Sequence, residues 1–263
     1  MREGEMLGYC GLTNVAMRIT TIIVIAFAMV HFGPRRSPEL AEAGTKPEPQ
    51  EAQFTVNFSA YTGGPVDEWL GTRGFKFEKD AKNRTLLGLS IIDRTLELSA
   101  NGRLTGFILN DSINLDNVGR VRINWGVRRY PEEASYEKKV NNEALMLYIF
   151  FGKEKISSGH VLIPNSPYFI GLFLCQDEQV NLPYMGRYFH AGGRFVCLGK
   201  PYPGEMVVSE FDLDRRFKTY FRKQQTPCIT GIGFGVDTSK AGGGGKGAAF
   251  IKSIEFFDKS SMQ

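Results

Sequence analysis

Histidine and cysteine are scarce in this chain, and their positions exclude most metal and nucleophile chemistry. The three histidines, His31, His160 and His190, and the four cysteines form no Cys-x-x-Cys pair and no zinc-type spacing. His190 has no serine or cysteine neighbour and no Gly-x-Ser-x-Gly occurs, so a serine-hydrolase mechanism is excluded. The strand–helix alternation that builds a doubly wound nucleotide-binding sheet is missing as well. Residues 242–245 are four glycines, but Lys246 is followed by Gly247 and then by a strand-like run. A phosphate-binding loop needs Gly-Lys-Ser/Thr opening a helix, whose dipole it depends on. The run reads instead as a mobile hairpin between two strands, the second of which closes the chain.

Charge of one sign is not concentrated anywhere. The net charge of +4 is mild over 263 residues. Arg215, Arg216, Lys218, Arg222 and Lys223 come nearest to a basic patch. Nucleic-acid binding gathers such residues on one face of a basic domain, and these read as a solvated helix face, so no nucleic-acid partner is expected.

No apolar run reaches the roughly 20 residues of a membrane span. The one strongly apolar stretch, residues 19–32, follows Arg18 and suits the apolar region of a secretory signal. Met17 makes a conventional start. Ala41 and Ala43 form a small-x-small cleavage pattern, but far past the apolar run, so an uncleaved N-terminal helical anchor is the rival. Either way the bulk of the chain is expected outside the cytoplasm, periplasmic or secreted, touching membrane only through this segment. Cys10 precedes the run. Of Cys175, Cys197 and Cys228, the first two lie in apolar strands, where buried free thiols are the default. A Cys175–Cys197 disulfide is the alternative that export permits.

Aromatics are abundant: twenty Phe and ten Tyr, which favour strands and sandwich cores. Residues 33–52 combine Pro, Glu and Ala with little to bury and read as a disordered linker. Strand signals then recur at short intervals from Phe54 to Phe257. In residues 120–127, Val121, Ile123, Trp125 and Val127 share one face while Arg120, Arg122 and Asn124 share the other. Residues 144–151 and 168–174 are continuously apolar and read as central strands covered on both faces. One helix interrupts the pattern, with Asp212 as N-cap and Leu213, Phe217, Tyr220 and Phe221 on one side. About a dozen strands and one short helix predict an all-β fold, a two-sheet jelly-roll-like sandwich spanning residues 53–259. Residues 1–32 form the signal or anchor, with a hydrophobic helix.

Several constellations are candidates for chemistry. Glu205, Glu210 and Asp212 cluster around one strand, and Glu210 and Asp212, two apart, point the same way roughly 7 Å apart. Such a pair suits glycoside hydrolysis, although Glu205 also fits a turn and Asp212 a cap. Asp111 and Asp116 lie in an oxygen-rich segment, residues 110–117. Calcium is the one cofactor that segment could serve, and Asx turns explain the same residues. Asn141, Asn142 and Glu143 stand at the mouth of an apolar strand, as a polar turn or as part of a concave site. Tyr184, Arg187, Tyr188, His190, Arg194 and Tyr202 share a loop-rich stretch whose aromatic faces and polar tips suit sugar stacking and hydroxyl hydrogen bonds. Asp237, with Thr238 and Ser239, ends a strand at the base of the glycine run, where it could face a ligand.

The segment 122–125 with Pro131 after it, residues 141–145 leading into an apolar strand, residues 193–196 and 211–213, and residues 236–238 before the glycine run and closing strand together resemble a known family. It is the uncharacterised bacterial family of exported proteins known as domain of unknown function 3047. The resemblance covers residues 120–257 and implies a jelly-roll sandwich of the type shared by carbohydrate-binding modules and some polysaccharide-cleaving enzymes. Here Asn141 and Asn142 stand where acidic residues are usual in the family, which weakens a metal or acid–base role there. The leading expectation is non-catalytic binding of a glycan or another cell-envelope ligand. The alternatives are a glycoside hydrolase or polysaccharide lyase using Glu210 with Glu205 or Asp212, and a structural or protein-interaction domain of the envelope.

Overall fold

The computed structural model describes residues 50–140 and 142–259. The apolar segment 19–32, Cys10, the cleavage pattern and Asn141 lie outside them. Thirteen strands are described: β1 (Phe54–Asn57), β2 (Lys76–Lys79), β3 (Leu87–Ile92), β4 (Thr95–Asn101), β5 (Thr105–Asn110), β6 (Val118–Arg129), β7 (Glu143–Ile156), β8 (Ser166–Phe173), β9 (Pro183–Tyr184), β10 (Gly193–Cys197), β11 (Val207–Asp212), β12 (Ile229–Asp237) and β13 (Lys246–Asp258). They form two sheets. The back sheet runs β11-β6-β13-β4-β3, with β1 taking over from β4 along the second half of β13. The front sheet runs β2-β5-β12-β7-β8-β10-β9. Pairing is antiparallel except between β8 and β10.

The period of two puts one set of side chains from each sheet into a shared core. Val121, Ile123, Trp125 and Val127 of β6 are buried, as expected from their alternation, and meet Leu145, Leu147, Ile149 and Phe151 of β7 in one apolar cluster. The Trp125 indole N–H donates to Ser209 Oγ at 3.0 Å, so the largest buried ring leaves no orphan donor. On the opposite face of β6 the arginines are solvated and paired. Glu210 of β11 accepts from Arg120 at 2.9 Å and from Arg122 at 2.8 Å, and Arg122 also reaches Glu255 of β13. The back sheet thus shows water a charged face whose charges cancel one another.

Helix α2 (Leu213–Phe221) follows β11 directly. Asp212 caps it, its side chain accepting from the Arg215 N–H at 2.9 Å, and Arg222 ends it with a left-handed φ of 52°. Phe217 is fully buried against Phe151 and Tyr168. A second helix, α1 (Val66–Thr72), was not expected from the pattern. With seven residues and two buried apolar positions, Val66 and Leu70, it is too short to show a periodicity. Among the described residues no helix is long and apolar enough to cross a membrane.

Two local expectations are corrected. The glycine run is not a hairpin: β12 belongs to the front sheet and β13 to the back. Both edges of β12 are already taken by β5 and β7, so the glycines carry the chain from one layer to the other. Gly243, Gly244 and Gly245 all have positive φ, and a Cβ on Gly245 would come within 2.5 Å of the Arg103 backbone nitrogen. The corner is packed, and only glycine fits it.

Cys175 and Cys197 are not free thiols; they are joined, with Cα atoms 5.8 Å apart. The parallel pairing of β8 with β10 sets Cys197 opposite Phe173, two residues before Cys175. That pairing is long-range and invisible to local pattern. Closing a loop of 22 residues stabilises the fold by roughly 3 kcal/mol through the unfolded chain. Converting both cysteines to serine should therefore lower the calorimetric midpoint by about 6–12 °C for a domain of this size. An unchanged midpoint would show that the bridge constrains nothing.

Candidate functional site

The front sheet differs from the back in having apolar side chains on both faces. Along β7, Leu145, Leu147, Ile149 and Phe151 enter the core, while Met146, Tyr148 and Phe150 face outward. On β8, Ile170 and Leu172 face in, and Phe169 and Phe173 face out. Between β5 and β7 runs β12, whose inward residues are Ile232, Phe234 and Val236 and whose alternate outward positions are Gly231, Gly233 and Gly235. A Cβ on Gly233 would lie 2.3 Å from Leu109 Cδ2, and one on Gly235 would lie 2.5 Å from Tyr148 Cε2. Neighbouring side chains therefore lean over a strand that has none, and the outer face is hollowed along β12.

Three adjoining cavities occupy this hollow. The central one, about 340 Å³, is lined by Phe107, Leu109, Tyr148, Phe150, Phe169, Phe189 and Phe195. The rings pack mainly edge to face: Phe107–Tyr148 at 5.8 Å, Tyr148–Phe169 at 5.6 Å, Phe169–Phe195 at 5.6 Å. Beside it a cavity of about 470 Å³ shares Lys79, Phe107, Ile163, Pro164 and Phe189, and adds Lys139, Arg187, Tyr188, Asp237 and Lys240. On the other side one of about 270 Å³ shares Leu109, Phe150 and Ser166. Together they make one cleft.

Residues 157–165 and 185–190 wall it. Buried Ser158 ties the first wall together, its hydroxyl donating to the Ile163 carbonyl at 2.7 Å and accepting from the His160 N–H at 3.2 Å. Its own carbonyl accepts from Phe189 N–H at 2.9 Å, which joins the two walls. Phe189, Lys79 and Lys139 all hold left-handed backbone, with φ of 60°, 53° and 60°. Non-glycine residues in that region carry strain of about 1–3 kcal/mol and concentrate at functional sites.

At one end the cleft floor meets a set of buried acids. Glu143 faces Asp237 across the β7–β12 ladder. Tyr136 lies over the outer face, its ring tilted against Phe173 at 4.9 Å and Phe195 at 5.2 Å, and its hydroxyl donates to Glu143 Oε2 at 3.3 Å. The Tyr136 N–H donates to Glu178 Oε1 at 2.8 Å. Burial, then the nearby Asp237 charge, hold the Glu143 carboxyl well above the carboxylate range. Burial, followed by Glu143 and Asp237, raises the Tyr148 phenol in the same way.

Of the residues expected to bind ligand, Arg187, Tyr188 and Asp237 line the cleft together. Tyr184 stands at the edge of the aromatic cluster, 6.0 Å from Tyr136, its hydroxyl accepting from Gln179 N–H and donating to Glu137. His190 is exposed, and its carbonyl accepts from Arg194 at 2.7 Å. Arg194 turns towards α2, where it lies over Phe221 at 5.2 Å and donates to the Tyr220 carbonyl. Tyr202, 83% exposed, sits in a separate turn that Glu205 closes by accepting the Tyr202 N–H.

The three carboxylates weighed for catalysis all have structural work. Glu205 holds that turn, Asp212 caps α2, and Glu210 is clamped by Arg120 and Arg122. The Arg122 hydrogen bond in particular keeps Glu210 below the ordinary carboxylate range, the wrong direction for a proton donor. Asp111 pairs with Lys76 at 2.7 Å on the cleft margin. Asp116 offers its backbone carbonyl to Gln53. Asn110 makes an Asx turn to Ser112 N–H. Among the described residues no three His, Cys, Asp or Glu side chains converge on a point. The cleft residues that local reading missed are Lys79, Phe107, Tyr148, Phe150, Phe169 and Phe195. Their signal was present in the glycines at 231, 233 and 235 beside a strand apolar at every position.

No family model matches the chain, and no curated protein matches it. Solved structures with a similar course include a low-affinity xylan binding module from Roseburia intestinalis (12% identity, 72% of this chain and 98% of that one, TM-score 0.30). Others are a xyloglucanase domain of a type three effector from Sinorhizobium fredii in complex with cellobiose (9%, 71% and 95%, TM-score 0.38) and winged bean acidic lectin complexed with methyl-alpha-D-galactose (12%, 78% and 98%, TM-score 0.36). At these scores the likenesses assign neither a family nor an activity to this chain.

Glu143 supplies a test of the buried end. Its folded form binds a proton more tightly than the unfolded chain does, so this group's contribution is complete below its ordinary value of 4.5 and is lost as pH rises through the raised one. Glu143→Gln keeps the shape and removes that loss. Urea unfolding should show the variant gaining on the wild type as pH rises above 4.5. A stability difference independent of pH would contradict a proton-holding, buried Glu143.

Proposed function

We propose that this domain is an exported, non-catalytic glycan-binding β-sandwich whose ligand chain lies along the front-sheet cleft. The observation behind the reading is the aromatic-floored central cavity, about 340 Å³, with Lys79, Arg187, Tyr188 and Asp237 around its neighbour. Sugar rings present flat apolar faces and hydroxyl edges, and a concave apolar surface with a few convergent polar groups suits both. Export is supported by the Cys175–Cys197 bridge, since disulfides persist in oxidising compartments. In this reading residues 19–32 deliver the domain across the membrane or hold it there. Affinity electrophoresis through polysaccharide gels and titration with oligosaccharides test it. Phe107→Ala should weaken binding about tenfold, roughly 1.4 kcal/mol. If no polysaccharide retards the protein, the reading fails.

A second reading, glycan cleavage, has one observation in its favour. Glu143 and Asp237 face each other on β7 and β12, and burial with the Asp237 charge pushes the Glu143 carboxyl well above the carboxylate range. A carboxylic acid beside a second carboxyl group is the pairing that glycoside hydrolysis uses. Release of reducing ends by the wild type, lost in Glu143→Gln, would establish it. Equal release by the two proteins, or none from either, removes it.

A further inference from the structure

The cations of this protein fall into two groups. Over the surface some stand outside any ion pair among the described residues, such as Lys153, Lys200 and Lys252, and others are matched: Lys76 with Asp111, Lys82 with Glu78, Arg84 with Asp67, Arg120 and Arg122 with Glu210, Arg128 with Glu97. Around the 470 Å³ cavity the lining cations are all of the first kind. Lys79, Lys139, Arg187 and Lys240 line it, and none is within ion-pair distance of a carboxylate among the described residues. The one acidic side chain on the same lining, Asp237, already accepts from Ser239 N–H at 2.9 Å, Ser239 Oγ at 2.7 Å and Thr105 Oγ1 at 3.3 Å. Glu143 beside it accepts from the Tyr136 hydroxyl, and burial with the Asp237 charge pushes its carboxyl well above the carboxylate range.

The placement of these cations is particular. The Lys79 ammonium stands 5.0 Å from the centre of the Phe107 ring, and the Arg187 guanidinium 5.4 Å from that of Tyr188. Positive charge is thereby held against the same aromatic surface that would carry a sugar ring. Two of the four, Lys79 and Lys139, sit on left-handed backbone that their side chains disfavour. A concave, low-dielectric wall lined by one sign of charge focuses its field and gathers counter-ions of the other sign.

We infer that the glycan taken by this cleft is acidic: a chain whose uronate carboxylates meet Lys79, Lys139, Arg187 and Lys240 while its ring faces lie on Phe107 and Tyr188. The inference rests on the glycan-binding reading above and specifies its substrate class.

The experiment titrates the intact protein with oligogalacturonate and with a neutral galactan oligosaccharide of equal length, at about 50 mM and about 500 mM NaCl. The acidic chain should bind at least about tenfold more tightly at low salt, and high salt should erase most of the difference. The exposed triple variant Lys139→Gln, Arg187→Gln, Lys240→Gln should lose the preference for the acidic chain while keeping its thermal midpoint. Phe107→Ala should weaken both ligands alike. Equal affinity for the two chains at low salt, or a preference that survives in the triple variant, overturns the acidic specificity and leaves glycan binding standing. Failure of the intact protein to bind either chain overturns both readings together.

Discussion

The alternation along β12 is the constraint on which the rest of the molecule turns. Its inward residues, Ile232, Phe234 and Val236, fill the core, and its outward positions are glycines that close approach forbids to be anything larger. Central strands of a sandwich usually bury one face and solvate the other. Here the front sheet is apolar on both sides, and the missing side chains of β12 let Leu109 and Tyr148 fold over it. A groove follows from that geometry, with aromatic walls rising from β5, β7 and β8. The same alternation places Asp237 at the strand's end, on the cleft side, opposite Glu143.

What covers the rest of that outer face explains why the cleft stops where it does. Tyr136 closes one end by packing against Phe173 and Phe195, and Glu143 and Glu178 anchor its hydroxyl and its N–H. The disulfide lies in the same outer cluster and pins β8 to β10 behind it. The two wall segments are joined through Ser158 and Phe189. Charge divides along the same line. The back sheet pairs Arg120 and Arg122 with Glu210 and Glu255, whereas Lys79, Lys139, Arg187 and Lys240 of the cleft enter no ion pair among the described residues. An arginine–carboxylate lattice on a solvated sheet contributes modest stability. The Lys79 and Arg187 contacts with Phe107 and Tyr188 contribute about 0.5–1 kcal/mol each where exposed.

Much of the architecture was legible because strands announce themselves by period. Residues 120–127 alternate cleanly and form β6, and Asp212 before an amphipathic run caps α2. The legible features are local ones. The disulfide depends on a parallel pairing between strands twenty and more residues apart, and the corner at Gly243–Gly245 depends on which sheet each flanking strand joins. The site divides in the same way. Arg187, Tyr188 and Asp237 stood out by composition and line the cleft, but Arg194, His190 and Tyr202 stood out equally and do not. Composition marks a segment without telling which side of a strand, or which end of a sandwich, each residue will occupy. Phe107, Tyr148 and Phe169 read as core because every second residue of their strands is core.

The central claim is that a glycan lies over β12 in the front-sheet cleft, and backbone amide shifts during an oligosaccharide titration test it most directly. The account predicts that the largest changes fall on Phe107, Tyr148, Gly233 and Gly235, together with Lys79 and Arg187, while β6 and the Glu210 cluster of the back sheet stay still. Shifts centred on Arg120, Arg122 and Glu210, with the front sheet unmoved, would contradict it.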